Sequence, residues 1–310
     1  MDPVTVIVAA LAAGSAAAAR EGTPDAVKGA YARLLDGVRE RLAGQPGGEM
    51  ALAKYDTDPQ AGRALLAEEL ARVQVGDPLL RLRGQSAYLL NMLGDRSELA
   101  ILAAQPLVDD CEGLLGADHP DTMTSRSNLA VAYQAAGRIA EAITLFERTL
   151  GDCERVLGAD HPSTVMSRIN LALANRAAGL TAAATMLFQR SLADCERVLG
   201  ADHPTTLMAR GNLAQAYRAA GRTAEAIPLS ERTVSDCERV LGASHPDTLM
   251  SRRNLAAAYQ AAGRTAVATA LYQRTLADYQ RLLGAGHPDT DAVREDLAAL
   301  AGKPKRRRRW

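Results

Sequence analysis

Residues 117–158 read ADHPDTMTSRSNLAVAYQAAGRIAEAITLFERTLGDCERVLG, and residues 159–200 read ADHPSTVMSRINLALANRAAGLTAAATMLFQRSLADCERVLG. The second stretch repeats the first position by position, and the step from His119 to His161 is kept by rare residue types along the chain. All five histidines (His119, His161, His203, His245, His287) and all four cysteines (Cys111, Cys153, Cys195, Cys237) obey it, with Tyr279 in the fifth cysteine place. Asn128, Asn170, Asn212 and Asn254 share the register, as do Gly137, Gly179, Gly221 and Gly263. A fixed period of this length means stacked supersecondary units.

Each unit reads as two helices. Pro120, Pro162, Pro204, Pro246 and Pro288 follow the histidines and suit a first helical turn, where a missing N–H costs nothing. Gly137-Arg138 and its later copies end that helix. The second helix carries Ile139, Ile143, Phe146, Leu150, Cys153 and Leu157, spaced by alternating fours and threes, which is one apolar stripe. Abundant alanine and arginine, both strong helix formers, and an aromatic content of only 4% agree with an all-α chain.

Leu129, Ala130, Tyr133, Ala142 and Phe146 fall at the offsets of the tetratricopeptide (TPR) pattern, and the chain resembles that family. The family's proline arrives late, at Pro162, so about two turns, roughly 12 Å, are added to the second helix. The His-Pro, Asn-Leu-Ala, Tyr, Glu-Ala and Leu-Gly elements of each unit resemble the 42-residue repeats of kinesin light chain over residues 117–284. The resemblance implies a right-handed TPR superhelix, and hence a protein-interaction scaffold or adaptor. The register extends outward. Asp77-Pro78 opens a degenerate unit at 78–116, full units run 117–158, 159–200, 201–242 and 243–284, and a capping helix at 285–302 carries Asp296 where asparagine would stand.

The repeat removes most candidate chemistry. Equivalent positions in stacked helices lie about 8–10 Å apart, whereas zinc ligands converge within about 2.3 Å of one metal. The cysteines therefore read as small core residues and the histidines as caps of the helix entrance. No glycine-rich phosphate loop or nucleophile elbow is found. Neither catalysis, metal nor cofactor is expected.

Two repeated features remain. Arg126, Arg168, Arg210, Arg252 and Arg294 replace a large apolar residue of the TPR pattern, and a charge facing a helix pair needs a partner. Asp110, Asp152, Asp194, Asp236 and Asp278 precede these arginines in order, each at the same interval across the His-Pro turn. A ladder is therefore expected in which each aspartate joins the arginine of the next unit. The resemblance further implies a concave groove lined by the first helices, in which the asparagines Asn128, Asn170, Asn212 and Asn254 hold a peptide backbone through amides that both donate and accept. Gln134, Arg176, Arg218 and Gln260 form a neighbouring variable row, and its two central arginines favour an acidic segment. The competing reading packs the asparagines inside each unit.

Residues 1–75 lie outside the repeat and read as four helices, near 3–19, 24–43, 47–56 and 59–73, a small bundle. The opening Met-Asp-Pro-Val and the alanine-rich run after it resemble the N-terminal domains of HeLo-like (Bell) proteins. That resemblance implies bacterial defence signalling and a second reading, a membrane-acting cell-death effector with the repeats as sensor. Val4 to Ala19 lacks the basic flank of a signal peptide and is short for a span of roughly 20 residues. A cytoplasmic protein is expected.

Formal net charge is zero, but residues 303–310 carry six basic groups and leave the body at −6. Residues 1–20 and this tail, with Trp310, supply the two signals of peripheral contact with an anionic membrane. Nucleic acid ranks below, because the acidic body continues no basic face.

Overall fold

The computed structural model describes residues 3–20, 23–45, 47–72, 80–92 and 97–302. Met1 and Asp2, the Asp77-Pro78 opening of the leading unit and the basic tail with Trp310 lie outside these residues. Fifteen helices and no strand occur among the described residues. They are α1 (Pro3–Ala18), α2 (Asp25–Leu42), α3 (Gly48–Thr57), α4 (Pro59–Arg72), α5 (Leu80–Met92), α6 (Ser97–Leu115), α7 (Pro120–Ala135), α8 (Ile139–Val156), α9 (Pro162–Ala177), α10 (Thr181–Val198), α11 (Pro204–Ala219), α12 (Thr223–Val240), α13 (Pro246–Ala261), α14 (Thr265–Leu283) and α15 (Pro288–Ala301). From α5 onward first and second helices alternate as the consecutive packed pairs of a TPR solenoid.

The repeated residues build the helix ends. Each histidine is an N-cap whose Nδ1 accepts the backbone N–H two residues on, as in Asp121 N–H to His119 at 3.2 Å and Ser163 N–H to His161 at 3.2 Å. The first helices α7, α9, α11 and α13 close on a left-handed glycine. Gly137 has φ 77°, and the N–H of Arg138 then reaches back to the Tyr133 carbonyl at 2.8 Å, a bond that only a left-handed cap allows. A second left-handed glycine ends each unit, where buried Thr122 donates to Gly116 O at 2.8 Å and Thr206 to Gly200 O at 2.7 Å. Tyr133 donates to Gln105 Oε1 at 2.9 Å while Arg138 lies 4.4 Å over its ring. The unit at 159–200 has lost both partners, with Asn175 and Leu180 in their places.

The chain divides into two compact units, residues 1–158 and 159–310. In the first, one apolar cluster runs from α1 (Ile7, Leu11) through α2 (Leu34, Val38), α4 (Leu66, Leu70) and α5 (Leu89) to Leu129 of α7. The apolar surface of α1 is therefore covered internally, and no helix among the described residues is long and apolar enough to cross a membrane. Close crossings depend on glycine. A Cβ at Gly62 would come within 2.6 Å of the Tyr55 backbone nitrogen, so α4 rests on α3 at a distance only glycine permits.

In the second unit one cluster gathers Val165, Ile169, Phe188 and Leu213 and another gathers Leu249, Tyr272, Tyr279 and Val293. Alanines such as Ala172, Ala184, Ala256 and Ala268 are fully buried and let the paired helices approach. Between the clusters, buried Ser230 stands where other units carry Phe146, Phe188 or Tyr272.

Gly62→Ala should cost about 1–3 kcal/mol through overpacking against backbone that cannot rotate away. Gly151→Ala, in α8 with nothing near its Cβ, should stabilise by about 0.5–1 kcal/mol through helix propensity. Urea midpoints of the two variants read the contrast.

Candidate functional site

A first helix presents two opposite faces. Arg168 and Asn170, two positions apart, project about 200° from each other at roughly 100° per residue, so one face meets second helices and the other does not.

On the packed face the arginines are buried and paired. Arg126 donates from Nη1 to Asp152 at 2.5 Å and from Nε to Glu112 at 2.7 Å. Arg210 reaches Asp236 at 2.6 Å and Glu196 at 3.0 Å, and Arg252 reaches Asp278 at 2.8 Å and Glu238 at 2.6 Å. Arg168 reaches Asp194 at 2.5 Å. This corrects the expected pairing. Each arginine takes the aspartate of its own second helix, which follows it in sequence, and not the aspartate of the unit before. For Arg126, Arg210 and Arg252 the residue joining the arginine to the preceding repeat is the glutamate of the Asp-Cys-Glu triplet.

The reason is helical geometry. Asp110 and Glu112 are about 200° apart on α6, so only one can face Arg126, and Asp110 turns to Arg83 of α5 at 2.5 Å. Arg294, at the end of the series, is half exposed and pairs with Asp291 within α15.

A second set of pairs ties the turns. Arg155 holds Asp118 at 2.5 and 2.8 Å and also Asp152 at 3.0 Å. Arg197 with Asp160 and Arg239 with Asp202 repeat it. Hydrogen bonding from these guanidinium groups holds the carboxyl groups of Asp118, Asp160 and Asp202 below their ordinary range. Arg281 has Ser244 at the matching place and keeps only Asp278.

The cysteines are buried. Desolvation pushes the thiols of Cys111 and Cys237 upward and that of Cys195 to about 11, which suppresses the nucleophilic thiolate at neutral pH.

The opposite face carries the candidate site. In the second unit Asn170, Asn212 and Asn254 are half-buried, and among the described residues their amides take no hydrogen-bond partner. Beside them Arg176 donates to Gln215 Oε1 at 3.2 Å. Burial and the neighbouring charge of Arg218 both pull the Arg176 pKa below its ordinary value. The Nε of Arg218 is buried without a hydrogen bond. Among the described residues neither arginine has a carboxylate partner, whereas Arg253 beside them holds Asp296 at 2.6 Å.

A cleft of about 600 Å³ opens here, lined by Gln215, Arg218, Arg253, Asn254, Gln260, Tyr272 and Asp296. Gln260 accepts from the Tyr272 hydroxyl at 3.4 Å. Sequence reasoning missed a third row. Met166, Met208 and Met250, one helical turn before the asparagines, are 39–50% exposed. Large apolar residues repeating on a polar face were the available signal.

In the first unit Asn128 is half-buried and lines a cleft of about 520 Å³ with Arg33, Gln85 and Tyr88, while Gln134 is half-buried on the same helix. Arg83 pairs with Asp110 across 27 residues where Arg126 pairs with Asp152 across 26. The first helix of the leading unit is therefore registered one residue early, which puts Gln85 in the asparagine row and Tyr88 at the place that Val131 holds on α7.

The family model for the tetratricopeptide repeat matches residues 85–151, 121–196, 170–238 and 219–281. The chain belongs to the tetratricopeptide repeat family. Among solved TPR structures it is similar to a putative kinesin light chain from Podosopora anserina with nearly identical TPR-like repeats, at 32% identity and a TM-score of 0.57, covering 65% of this chain and 95% of that one. A point-substituted form of the same protein matches at 31% identity and a TM-score of 0.58 over the same shares. BtubC (BKLC) from P. vanneervenii shares the fold at 20% identity and a TM-score of 0.55, covering 78% of this chain and 91% of that one. No curated protein matched the sequence. The TPR match leaves residues 1–84 outside the family model.

The double variant Asp236→Ala with Glu196→Ala, which strips Arg210 of both its carboxylates, should cost about 3–5 kcal/mol, and Arg210→Met markedly less, because an unpaired buried charge is worse than none. Equilibrium urea unfolding compares them. The depressed carboxyl groups set a pH dependence. Their stabilisation is present above the unfolded value of about 3.9 and is lost as pH falls from there through the folded values. The combined Asp118→Asn, Asp160→Asn, Asp202→Asn variant should show a shallower fall in Tm below about pH 4 than the wild type.

Proposed function

We propose that this TPR array is a protein-interaction scaffold that holds an acidic peptide or protein segment against the inner rows of its first helices. One observation carries the reading. Arg176 and Arg218 stand close enough for one charge to disfavour the other, partly buried, beside carboxylates committed elsewhere. Two desolvated cations without a counter-ion gain most from a ligand that brings one. The half-buried amides of Asn170, Asn212 and Asn254, which can both donate and accept, support a hold on that ligand by its backbone, whatever its side chains. The methionine row adds adaptable apolar contact. Residues 1–75 close the N-terminal end of the array and serve as its docking and capping element, in keeping with an adaptor in cytoplasmic signalling or defence.

The test is selection of short random peptides on the full chain, followed by fluorescence anisotropy of those enriched. Acidic sequences are expected. Arg176→Glu with Arg218→Glu should weaken them at least about tenfold, the worth of one charge-assisted hydrogen bond, with an unchanged circular dichroism melt. Enrichment of peptides without acidic residues, or equal binding by the charge-reversed variant, contradicts the reading.

A further inference from the structure

The cleft beside Arg218 is rich in hydrogen-bond donors, because its acceptors are engaged within the protein. Arg176 of α9 donates to Gln215 Oε1 of α11 at 3.2 Å, so the NH2 group is the end of that side chain left to offer. The Tyr272 hydroxyl of α14 donates to Gln260 Oε1 of α13 at 3.4 Å, and the NH2 group of Gln260 is left in the same way. Both glutamines line the cleft of about 600 Å³. Arg218 follows Gln215 by about one turn of α11 and lines the cleft as well, with its Nε buried and without a hydrogen bond. The carboxylate in the lining, Asp296, is held by Arg253 at 2.6 Å.

Charge points the same way. Arg176 and Arg218 are both half-buried. Arg176 also lies 5.9 Å over the Phe188 ring, a contact that steadies the guanidinium without neutralising it. With Arg253 and Asp296 cancelling each other, two positive charges remain at one end of the cleft. A hydroxyl or a main-chain amide would bring a donor of its own to groups that already donate. A carboxylate brings two acceptor oxygens and one charge. A phosphomonoester brings three acceptor oxygens and nearly two charges at neutral pH, and the guanidinium fork matches its geometry.

We infer that this cleft takes a phosphorylated side chain of the bound segment, with Arg218 and the NH2 groups of Gln215 and Gln260 on the phosphate oxygens and Arg176 supplying the second charge behind Gln215. This rests on the reading of the inner rows as a site for an acidic segment. It adds the chemical group, the place where that group sits, and a control, since the segment then binds fully only in its phosphorylated form.

The experiment uses the full chain and three libraries of short peptides, random except for a central phosphoserine, glutamate or serine. The best binder is synthesised in all three forms, and Kd values are measured by anisotropy. The phosphoserine form should bind at least about tenfold more tightly than the glutamate form, the worth of one further charge-assisted contact, and the serine form should be weakest. Inorganic phosphate should compete only at far higher concentration than the phosphopeptide. A pH series separates the two anions. The charged and titratable groups facing the cleft are Arg176, Arg218, Arg253, Tyr272 and Asp296, and no histidine is among the lining residues. Between pH 7.5 and 5.5 the phosphopeptide should weaken several-fold as its second ionisation near pH 6 is reversed, while the glutamate form, with a pKa of about 4.3, should hold its affinity.

Arg218→Gln should reduce the preference for phosphoserine over glutamate to less than about threefold. Gln215→Glu, which gives Arg176 a carboxylate and places a negative charge at the cleft, should do the same, and it keeps the inference testable if the first variant does not fold. Circular dichroism melts identify the folded variants. Equal affinity for the phosphoserine and glutamate forms, a flat pH series for the phosphopeptide, an undiminished preference in a folded variant, or inorganic phosphate binding as tightly as the peptide each overturns the inference while leaving the acidic-segment reading intact. Failure of all three libraries to yield a binder overturns both.

Discussion

A guanidinium group buried between two second helices is the interaction on which this array depends. Arg126, Arg210 and Arg252 each hold an aspartate of their own unit and a glutamate of the one before. A fully buried charge is tolerable only when it is paired, so the position of each of these first helices is tied to two neighbours at once. Apolar packing alone would let helices with so much alanine slide, because small uniform side chains specify registry poorly. The planar fork of arginine does specify it, since it must meet two carboxylates in fixed directions.

This arrangement leaves the other face of the first helices available. Residues two positions along the helix point away from the second helices, and there the repeat stops being uniform. The asparagines stay constant, while their neighbours change from Gln134 in the first unit to Arg176, Arg218 and Gln260 in the second. Charges on the packed face are satisfied within the protein. On the inner face Arg176 and Arg218 are not, and that contrast separates scaffold from site.

Much of this was legible in the sequence because rare residues marked the period. Histidine and proline fixed where each helix begins, left-handed glycine where it ends, and the arginine and aspartate positions were named from spacing alone. The partners were not. Choosing between Asp110 and Glu112 for Arg126 requires knowing which way two side chains on one helix point, and a linear interval hides that they project to opposite sides of it. The leading unit hid a one-residue offset for the same reason, since only the Arg83–Asp110 contact reveals it. Burial without a counter-ion at Arg218 is a property of its neighbours in space, and no local pattern announces it.

If a buried arginine couples one unit to the next, the coupling is measured most directly by a double-mutant cycle between Glu238 and Arg252, which lie in consecutive units and meet at 2.6 Å. With Glu238→Gln, Arg252→Met and the double variant compared by urea unfolding, an interaction energy of at least about 1 kcal/mol is expected. Additivity within about 0.5 kcal/mol would contradict it.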